Sequence, residues 1–298
     1  MKNINWSELG FGYFKTDYNV RCEYKDGKWG ELYATEDVNM NIHMASTCLH
    51  YGQEVFEGLK AFRGADGKVR LFRVEENAKR MINSGEYLKM AVPSVELFTK
   101  ACIEAVKLNA DYIPPYGSGA SLYLRPMLIG VGPQVGVKPS ADYLFAVFVT
   151  PVGPYYKDGF NCIKVIIDYD HDRAAPKGTG HVKVGGNYAA SLDSGEIAHQ
   201  KGFASVIFLD PATKQYIDEC SAANFFGIRD GKYITPDSHS VLPSITNKSL
   251  RQIAEDLGLK VEQRKVGVEE LPTFSEAGCC GTAAVISPIG SVYDPKTD

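Results

Sequence analysis

The sequence predicts a mixed α/β protein, α+β in character, built as two domains with strands and helices in both. Three observations carry this. Short apolar runs bounded by turn residues alternate with stretches whose apolar side chains recur at helical spacing. The chain has 298 residues, enough for two cores of ordinary size. A Pro/Gly-bearing segment, TPVGPYYKDG, breaks the pattern near the middle. The expected division is an N-terminal α/β domain over residues 1–150, a linker over 151–160 and a second domain over 161–298.

The elements follow in order. LKAFRGADGKVRLFR (Leu59 to Arg73) places two strand-like runs around a Gly-Ala-Asp-Gly turn and reads as a hairpin. A helix is expected next, over PSVELFTKACIEAVKL. Its Phe98, Ala101, Cys102 and Ala105 sit at i, i+3, i+4 and i+7, and Pro114 and Pro115 are expected to stop it. ASLYLRPMLIG and DYLFAVFVTPVG read as buried strands before the linker, and CIKVIIDYD as the first strand after it. GNYAASLDSGEIAHQ is a predicted helix, while FASVIFLD and YIDECSAANFFGIRDGKYITP are strands joined by turns. Leu250, Ile253, Ala254 and Leu257 mark the packing face of a last helix that starts near LPSITNK, and AVISPIG is the final strand. No fixed-period repeat or low-complexity stretch is present.

Charge and composition exclude several classes of function. The formal net charge of -4, with signs interspersed, provides no basic stripe for nucleic acid. No apolar run is long enough to span a bilayer and the first thirty residues lack a signal-like apolar region, so a cytoplasmic protein is expected. The seven cysteines are an odd count with Cys279 and Cys280 adjacent, which fits reduced thiols better than a disulfide framework. No C-x-x-C or H-E-x-x-H spacing suggests a metal site, and none is expected.

The chemistry centres on HVKVGGNYAASL, where Lys183 precedes a glycine pair. A lysine becomes a nucleophile when desolvation or a second cation lowers its pKa, and glycines let a planar partner approach the backbone. The same string also describes an exposed loop lysine. An aldehyde cofactor such as pyridoxal phosphate needs an amine, a carboxylate for its ring nitrogen, donors for its phosphate and a hydroxyl near its phenolate oxygen. Tyr188 can supply the hydroxyl if Gly-Gly-Asn folds the chain back, and Glu219 can supply the carboxylate, although alone it reads as a loop acid. LPSITNK puts Ile245 and Thr246 at a helix start, where free N–H groups bind a phosphate dianion, or where Ser or Thr is simply an N-cap. GCCGTAAV offers a second Gly-Thr turn of the same kind, or a plain turn.

Taken in order, HYGQEVFEGLKAFRG, RLFR with NAKRM, SLYLRP, PVGPYY, GTGHVKVGGNYAASL, IDECSAANFF, LPSITNKSL and GTAAVISP make eight motifs. Together they resemble the branched-chain amino-acid aminotransferases of the class IV pyridoxal-phosphate fold. The likeness runs from about residue 10 to the end of the chain. It implies the fold type IV architecture, with a small N-terminal α/β domain and a larger cofactor-binding one. It also implies transamination of leucine, isoleucine and valine with 2-oxoglutarate.

By this resemblance Lys183 forms the Schiff base with pyridoxal 5'-phosphate and moves the proton between substrate and cofactor, Glu219 pairs with the ring nitrogen and Tyr188 with the phenolate oxygen. Arg80 matches the family's phosphate arginine, with Ile245, Thr246 and Thr282 as backbone donors. Tyr51, Phe56, Tyr123, Arg125 and Tyr155 correspond to substrate-pocket residues. Thr282 with Ala283 belongs to the turn that receives the substrate α-carboxylate. Val137 matches a residue that relatives contribute from a second subunit, which implies a homodimer; the other partners are amino acids and 2-oxo acids.

The chain departs from the family pattern in places. Ser221 and Ala222 stand where many relatives have glycine and threonine, Ser244 stands where glycine is usual, and Ala284 and Ser287 occupy the positions of the C-x-x-C of animal relatives. Relatives continue beyond VYDPKTD, so a shortened member or one whose tail is not represented is expected. Two alternatives share parts of this pattern: D-amino-acid transamination or aminodeoxychorismate lyase chemistry, and a non-catalytic member. SLYLRP and HYGQEVFEG favour the branched-chain reading over the first, and retention of Lys183, Tyr188 and Glu219 argues against the second.

Overall fold

Strand pairing in the computed structural model sorts the chain into two sheets of eight strands each. The structure describes residues 2–155 and 161–297; the end of the expected linker, 156–160, lies outside the described residues. By internal contacts the chain forms two units, the first running through Tyr155 and also taking Lys183–Gly185, the second taking the remainder.

The first unit is an antiparallel sheet. β1 (Asn19–Lys25), β2 (Lys28–Trp29) and β3 (Tyr33–Thr35) come first, and α1 (Thr47–Tyr51) leads into β4 (Glu54–Phe56). The hairpin of β5 (Leu59–Arg63) and β6 (Val69–Leu71) follows, then α2 (Val74–Tyr87), α3 (Val95–Leu108), β7 (Ser121–Gly130) and β8 (Tyr143–Val152). The expected hairpin forms, with Ala61 opposite Leu71. β7 and β8 pair over their full length, and most of their side chains are buried on both faces, as their unbroken apolar runs require.

Helix α3 buries the predicted stripe, with Phe98, Ala101, Cys102 and Ala105 fully enclosed and Phe98 stacked on Phe145. Burying a phenylalanine side chain of this kind stabilises by roughly 1.5–3 kcal/mol. Pro114 and Pro115 are not what ends the helix. It stops at Leu108, where the Asn109 amide donates to the carbonyls of Ala105 and Tyr18 and its oxygen accepts from the backbone of Asp17 and Tyr18. A helix also intervenes between the hairpin and α3: α2 opens with Glu75 and Glu76 in its first turn, where acids suit the helix dipole.

The second unit opens with β9 (Ile163–Asp168), followed by α4 (Gly185–Ala189), α5 (Leu192–Gln200), β10 (Ser205–Leu209), β11 (Ile217–Cys220), β12 (Ala223–Arg229) and β13 (Lys232–Pro236). It ends with α6 (Ile245–Asp256), β14 (Lys260–Arg264), β15 (Glu276–Gly281) and β16 (Val285–Tyr293). Its sheet is mixed, parallel where β9 meets β10 and β16 and where β13 meets β14, and it closes on itself because β11 pairs with both β10 and β12. Inside lie Val165, Ile167, Ile207, Leu209 and Phe225.

The predicted helix over 186–200 is two helices, because the Ser191 N–H turns back to the Tyr188 carbonyl. The packing face expected on the last helix is also different. Ala254 is buried, but Ile253 is 49% and Leu257 75% exposed. The buried stripe of α6 instead carries Asn247 and Ser249, whose side chains find hydrogen-bond partners inside.

Candidate active site

On the first unit, antiparallel pairing places alternate residues of β4, β5 and β7 on one face: Phe56 opposite Met127, and Lys60 opposite Tyr123. Arg125, two residues along β7, points to that face. Its guanidinium lies 4.7 Å from the Phe56 ring centroid and 5.3 Å from that of Tyr123, and its Nε donates to the Tyr123 hydroxyl at 3.3 Å. Lys183 Nζ lies over the same Phe56 ring at 4.5 Å. Phe11 continues the line edge-on, 5.1 Å from Tyr123 and 5.2 Å from Tyr155. Four of the expected substrate residues and the lysine are thus joined through shared rings. Those contacts do not reach Tyr51, whose hydroxyl donates to the Val135 carbonyl in the loop that exposes Val137.

The backbone of Lys183 is held from both sides. Its N–H donates to Ser84 Oγ at 3.0 Å and its carbonyl accepts from Phe56 N–H at 3.2 Å, while Val182 and Val184 are buried beside it. Gly185 is bare for a steric reason. The Glu54 carboxylate accepts the Gly185 N–H, and a Cβ there would overlap Glu54 Oε1. Burial pushes the Glu54 carboxyl up, against the opposing pull of the Gly185 N–H and of Arg125. Ser84 shares α2 with Arg80, one turn apart on the same helix face. Arg80 is paired rather than solvated: it grips Glu57, which also accepts from Asn77 Nδ2 at 2.7 Å and from Gly58 N–H at 3.3 Å. Lys60, on the Tyr123 face, is buried, which pulls its ammonium down to about 8.

On the second unit, Glu219 ends up inside because the β11–β12 hairpin turns on Ser221 and Ala222 alone, setting Glu219 opposite Asn224. Ser221 also bonds β10, its N–H to the Val206 carbonyl and its Oγ to the Val206 N–H, so the serine in place of glycine is used structurally. Glu219 accepts from Asn224 Nδ2 at 2.8 Å and faces Arg173 at 2.5 Å. Burial pushes its carboxyl up, with Arg173, Asn224 and the Leu242 N–H pulling the other way. Asn224 connects onward to Asn247 on α6, which reaches Tyr233 and Thr235.

Helix α6 starts as expected at Ile245. Ser244 Oγ caps the Asn247 N–H at 3.1 Å, so serine replaces the usual glycine here as a working N-cap. The N–H groups of Ile245 and Thr246, in the first turn, have no intrahelical acceptor within reach. Thr282, Ala283 and Ala284 form the turn between β15 and β16, closed by Val285 at φ 58°, a left-handed conformation rare for a β-branched residue. Tyr188 lies on α4, and Asn187 beside it staples the loop before the lysine, donating to the Thr179 and Val182 carbonyls at 2.7 and 2.9 Å.

Residues that sequence reasoning did not single out are Phe11, Glu54, Glu57, Lys60, Arg173, Asn224 and Asn247. For Asn224 a signal was available, since a two-residue turn at Ser221–Ala222 would have paired it with Glu219. For the others nothing local distinguishes a site residue from an ordinary one.

Residues 54–292 match the family model described as amino-transferase class IV. A branched-chain-amino-acid aminotransferase of Haemophilus influenzae is 52% identical over 299 residues, spanning 98% of this chain and 87% of the relative. The Escherichia coli branched-chain amino acid aminotransferase has a similar structure, with a TM-score of 0.78 at 29% identity over 93% of this chain and 87% of that one. The T.th. branched-chain amino acid aminotransferase solved with pyridoxamine 5'-phosphate gives 0.78 at 27% identity over 94% and 87%.

Proposed function

This chain belongs to the class IV aminotransferases, and from that membership we propose that it transfers the amino group of leucine, isoleucine or valine to 2-oxoglutarate, giving the branched-chain 2-oxo acid and L-glutamate with pyridoxal 5'-phosphate as cofactor. One observation carries the reading: a single apolar ring, Phe56, has the Lys183 amine at 4.5 Å and the Arg125 guanidinium at 4.7 Å. A transaminase must accept an apolar and a dicarboxylic substrate in turn. An apolar wall shared by a reactive amine and a cation is suited to both.

The residues present fit the cofactor: a buried carboxylate with an arginine beside it, a helix start whose first-turn N–H groups need acceptors from outside the helix, and a lysine held by its backbone. When bound, pyridoxal phosphate supplies an electron-accepting ring and an aldehyde carbon that exchanges amino groups. Lys183 Nζ would take the proton from the substrate Cα and pass it to the cofactor carbon that carries the aldehyde, and its pinned backbone limits the search to side-chain rotation. Glu219 would hold a proton at the ring nitrogen, and Tyr188 would donate to the phenolate oxygen. Arg80 and the N–H groups of Ile245, Thr246 and Thr282 would bind the phosphate dianion. Thr282 and Ala283 receive the α-carboxylate through their backbone. Tyr51, Phe56, Tyr123 and Tyr155 line the side-chain space, and Arg125 meets a second carboxylate.

We also read the protein as a cytoplasmic homodimer of two-domain subunits, with 151–160 as the interdomain linker. The apolar Val135 and Val137, each 86% exposed, support an intersubunit role for their loop. The test is direct. Reconstituted protein should show the visible absorbance of the bound cofactor, which shifts with leucine and returns with 2-oxoglutarate. Lys183→Ala should abolish the cycle and keep the fold, and near-normal turnover by that variant would remove the assignment.

A further inference from the structure

Resting on the reading of Glu219 as partner of the ring nitrogen, we infer that Arg173 is its positioning residue, keeping Glu219 an oriented carboxylate and tying it to the two backbone segments that lead to the lysine and to the phosphate helix. Arg173 lies outside any helix or strand, and its side chain is only 9% exposed. One terminal nitrogen faces three oxygens: the Glu219 carboxylate at 2.5 Å, the Gly180 carbonyl at 2.8 Å and the Ser240 carbonyl. That nitrogen has two hydrogens, so the three acceptors share them and are drawn together. Gly180 and Ser240 already run so close that a Cβ on Gly180 would overlap the Ser240 backbone. From Gly180 the chain reaches Lys183 in three residues, and from Ser240 it reaches the helix cap Ser244 in four.

Charge acts in the same direction. Glu219 is 4% exposed, and burial of that degree favours the neutral acid. Its buried neighbour Asp218 pushes it further toward neutrality. The thiols near enough to feel its charge, Cys220 on its own strand and Cys280 on β15, are buried with their pKa pushed up and contribute no positive charge. Among the described residues, Arg173 is the one cation within ion-pair distance of Glu219. Arginine is suited to the place, being always protonated and able to bond carbonyls and a carboxylate at once.

The test uses the full chain loaded with pyridoxal phosphate labelled with nitrogen-15 in the ring, in the wild type, Arg173→Met, Arg173→Lys, Glu219→Gln and the Arg173→Met/Glu219→Gln double variant. Ring-nitrogen protonation is read from the chemical shift across pH, and the leucine half-reaction from absorbance. Arg173→Met should move the nitrogen toward the unprotonated state of Glu219→Gln and slow the half-reaction by about tenfold or more, since one decade is 1.36 kcal/mol. Added to Glu219→Gln it should change little, because both act through one carboxylate. Arg173→Lys should keep the nitrogen protonated while losing part of the rate. A fully protonated nitrogen in Arg173→Met, or losses that multiply in the double variant, would overturn the proposal. If Arg173→Met does not fold, Arg173→Lys decides: titration like Glu219→Gln overturns it, and titration like the wild type supports it. A protonated nitrogen in Glu219→Gln would instead dismiss Glu219 as the ring partner, so the two failures are distinguishable.

Discussion

Glu57 receives Arg80 through both carboxylate oxygens, Nε at 2.7 Å and a terminal nitrogen at 2.8 Å, and Glu57 has no exposed surface. A guanidinium held by two bonds has lost most of its rotational freedom and presents its remaining donors in a set direction. Glu57→Gln replaces one accepting oxygen by an NH2 that opposes the arginine. Removing one partner of a buried pair costs about 3–5 kcal/mol. The expected result is a lower unfolding midpoint together with pyridoxal phosphate affinity reduced tenfold or more. A lower midpoint with unchanged affinity would mean that Glu57 only holds the fold.

Gly185 and Glu54 give a second prediction. Gly185→Ala should disturb the lysine two residues upstream, because the new Cβ meets the Glu54 carboxylate that accepts the Gly185 N–H. Overpacking of this kind costs typically 1–3 kcal/mol. Adding Glu54→Ala to Gly185→Ala should recover part of the lost stability and turnover, since it removes the colliding atoms. A cycle of the two single variants and the double, read by chemical denaturation, would show a coupling near zero if the clash were not the cause.

Much of this architecture is legible in the sequence, and the reason differs from place to place. The stripe Phe98, Ala101, Cys102, Ala105 and the strands β7 and β8 carry their burial in local periodicity, which needs no knowledge of the partner. Lys183, Glu219 and the helix start at Ile245 become readable only as a set, through the motifs that surround them. Glu57 with Arg80 and Arg173 with Glu219 are pairs 23 and 46 residues apart in sequence. A buried charge shows no sign of its partner in the residues beside it. Leu257 fails in the opposite sense: it fits the helical period and remains exposed at the helix end.

Lys60 yields a pH dependence. Burial lowers its folded pKa from 10.5 to about 8. The unfolded chain therefore binds more protons than the folded one between about pH 8 and 10.5, and stability gains from this group as pH rises through that window. Below it the cost of burying the ammonium is present in full. Lys60→Met should raise the unfolding midpoint at pH near 7 and lose that advantage near pH 10, by an amount on the order of 3 kcal/mol between the two. A constant difference between variant and wild type at both pH values would show that Lys60 is not titrating in the folded protein.

Arg125 carries the last prediction, because its surroundings bear on which substrate it reads. The guanidinium lies over the Phe56 and Tyr123 rings and is bonded to the Tyr123 hydroxyl, and among the described residues no carboxylate lies within ion-pair distance of it. Glu54 is close enough to feel its charge but is committed to the Gly185 N–H. Arg125 therefore keeps donors for an incoming carboxylate, while its flat face completes the apolar wall that a leucine side chain requires. A charge-assisted contact in a partly dry pocket contributes roughly 1.5–3 kcal/mol, and only the dicarboxylic substrate makes it. Arg125→Met keeps an apolar stem against Phe56 and removes the donors. It should weaken glutamate and 2-oxoglutarate by about tenfold to a hundredfold and leave leucine within a factor of two or so. The half-reactions, each followed through the cofactor absorbance with a single amino acid, separate the two cases. Equal losses for leucine and glutamate would mean that Arg125 shapes the wall by stacking and does not read the second carboxylate.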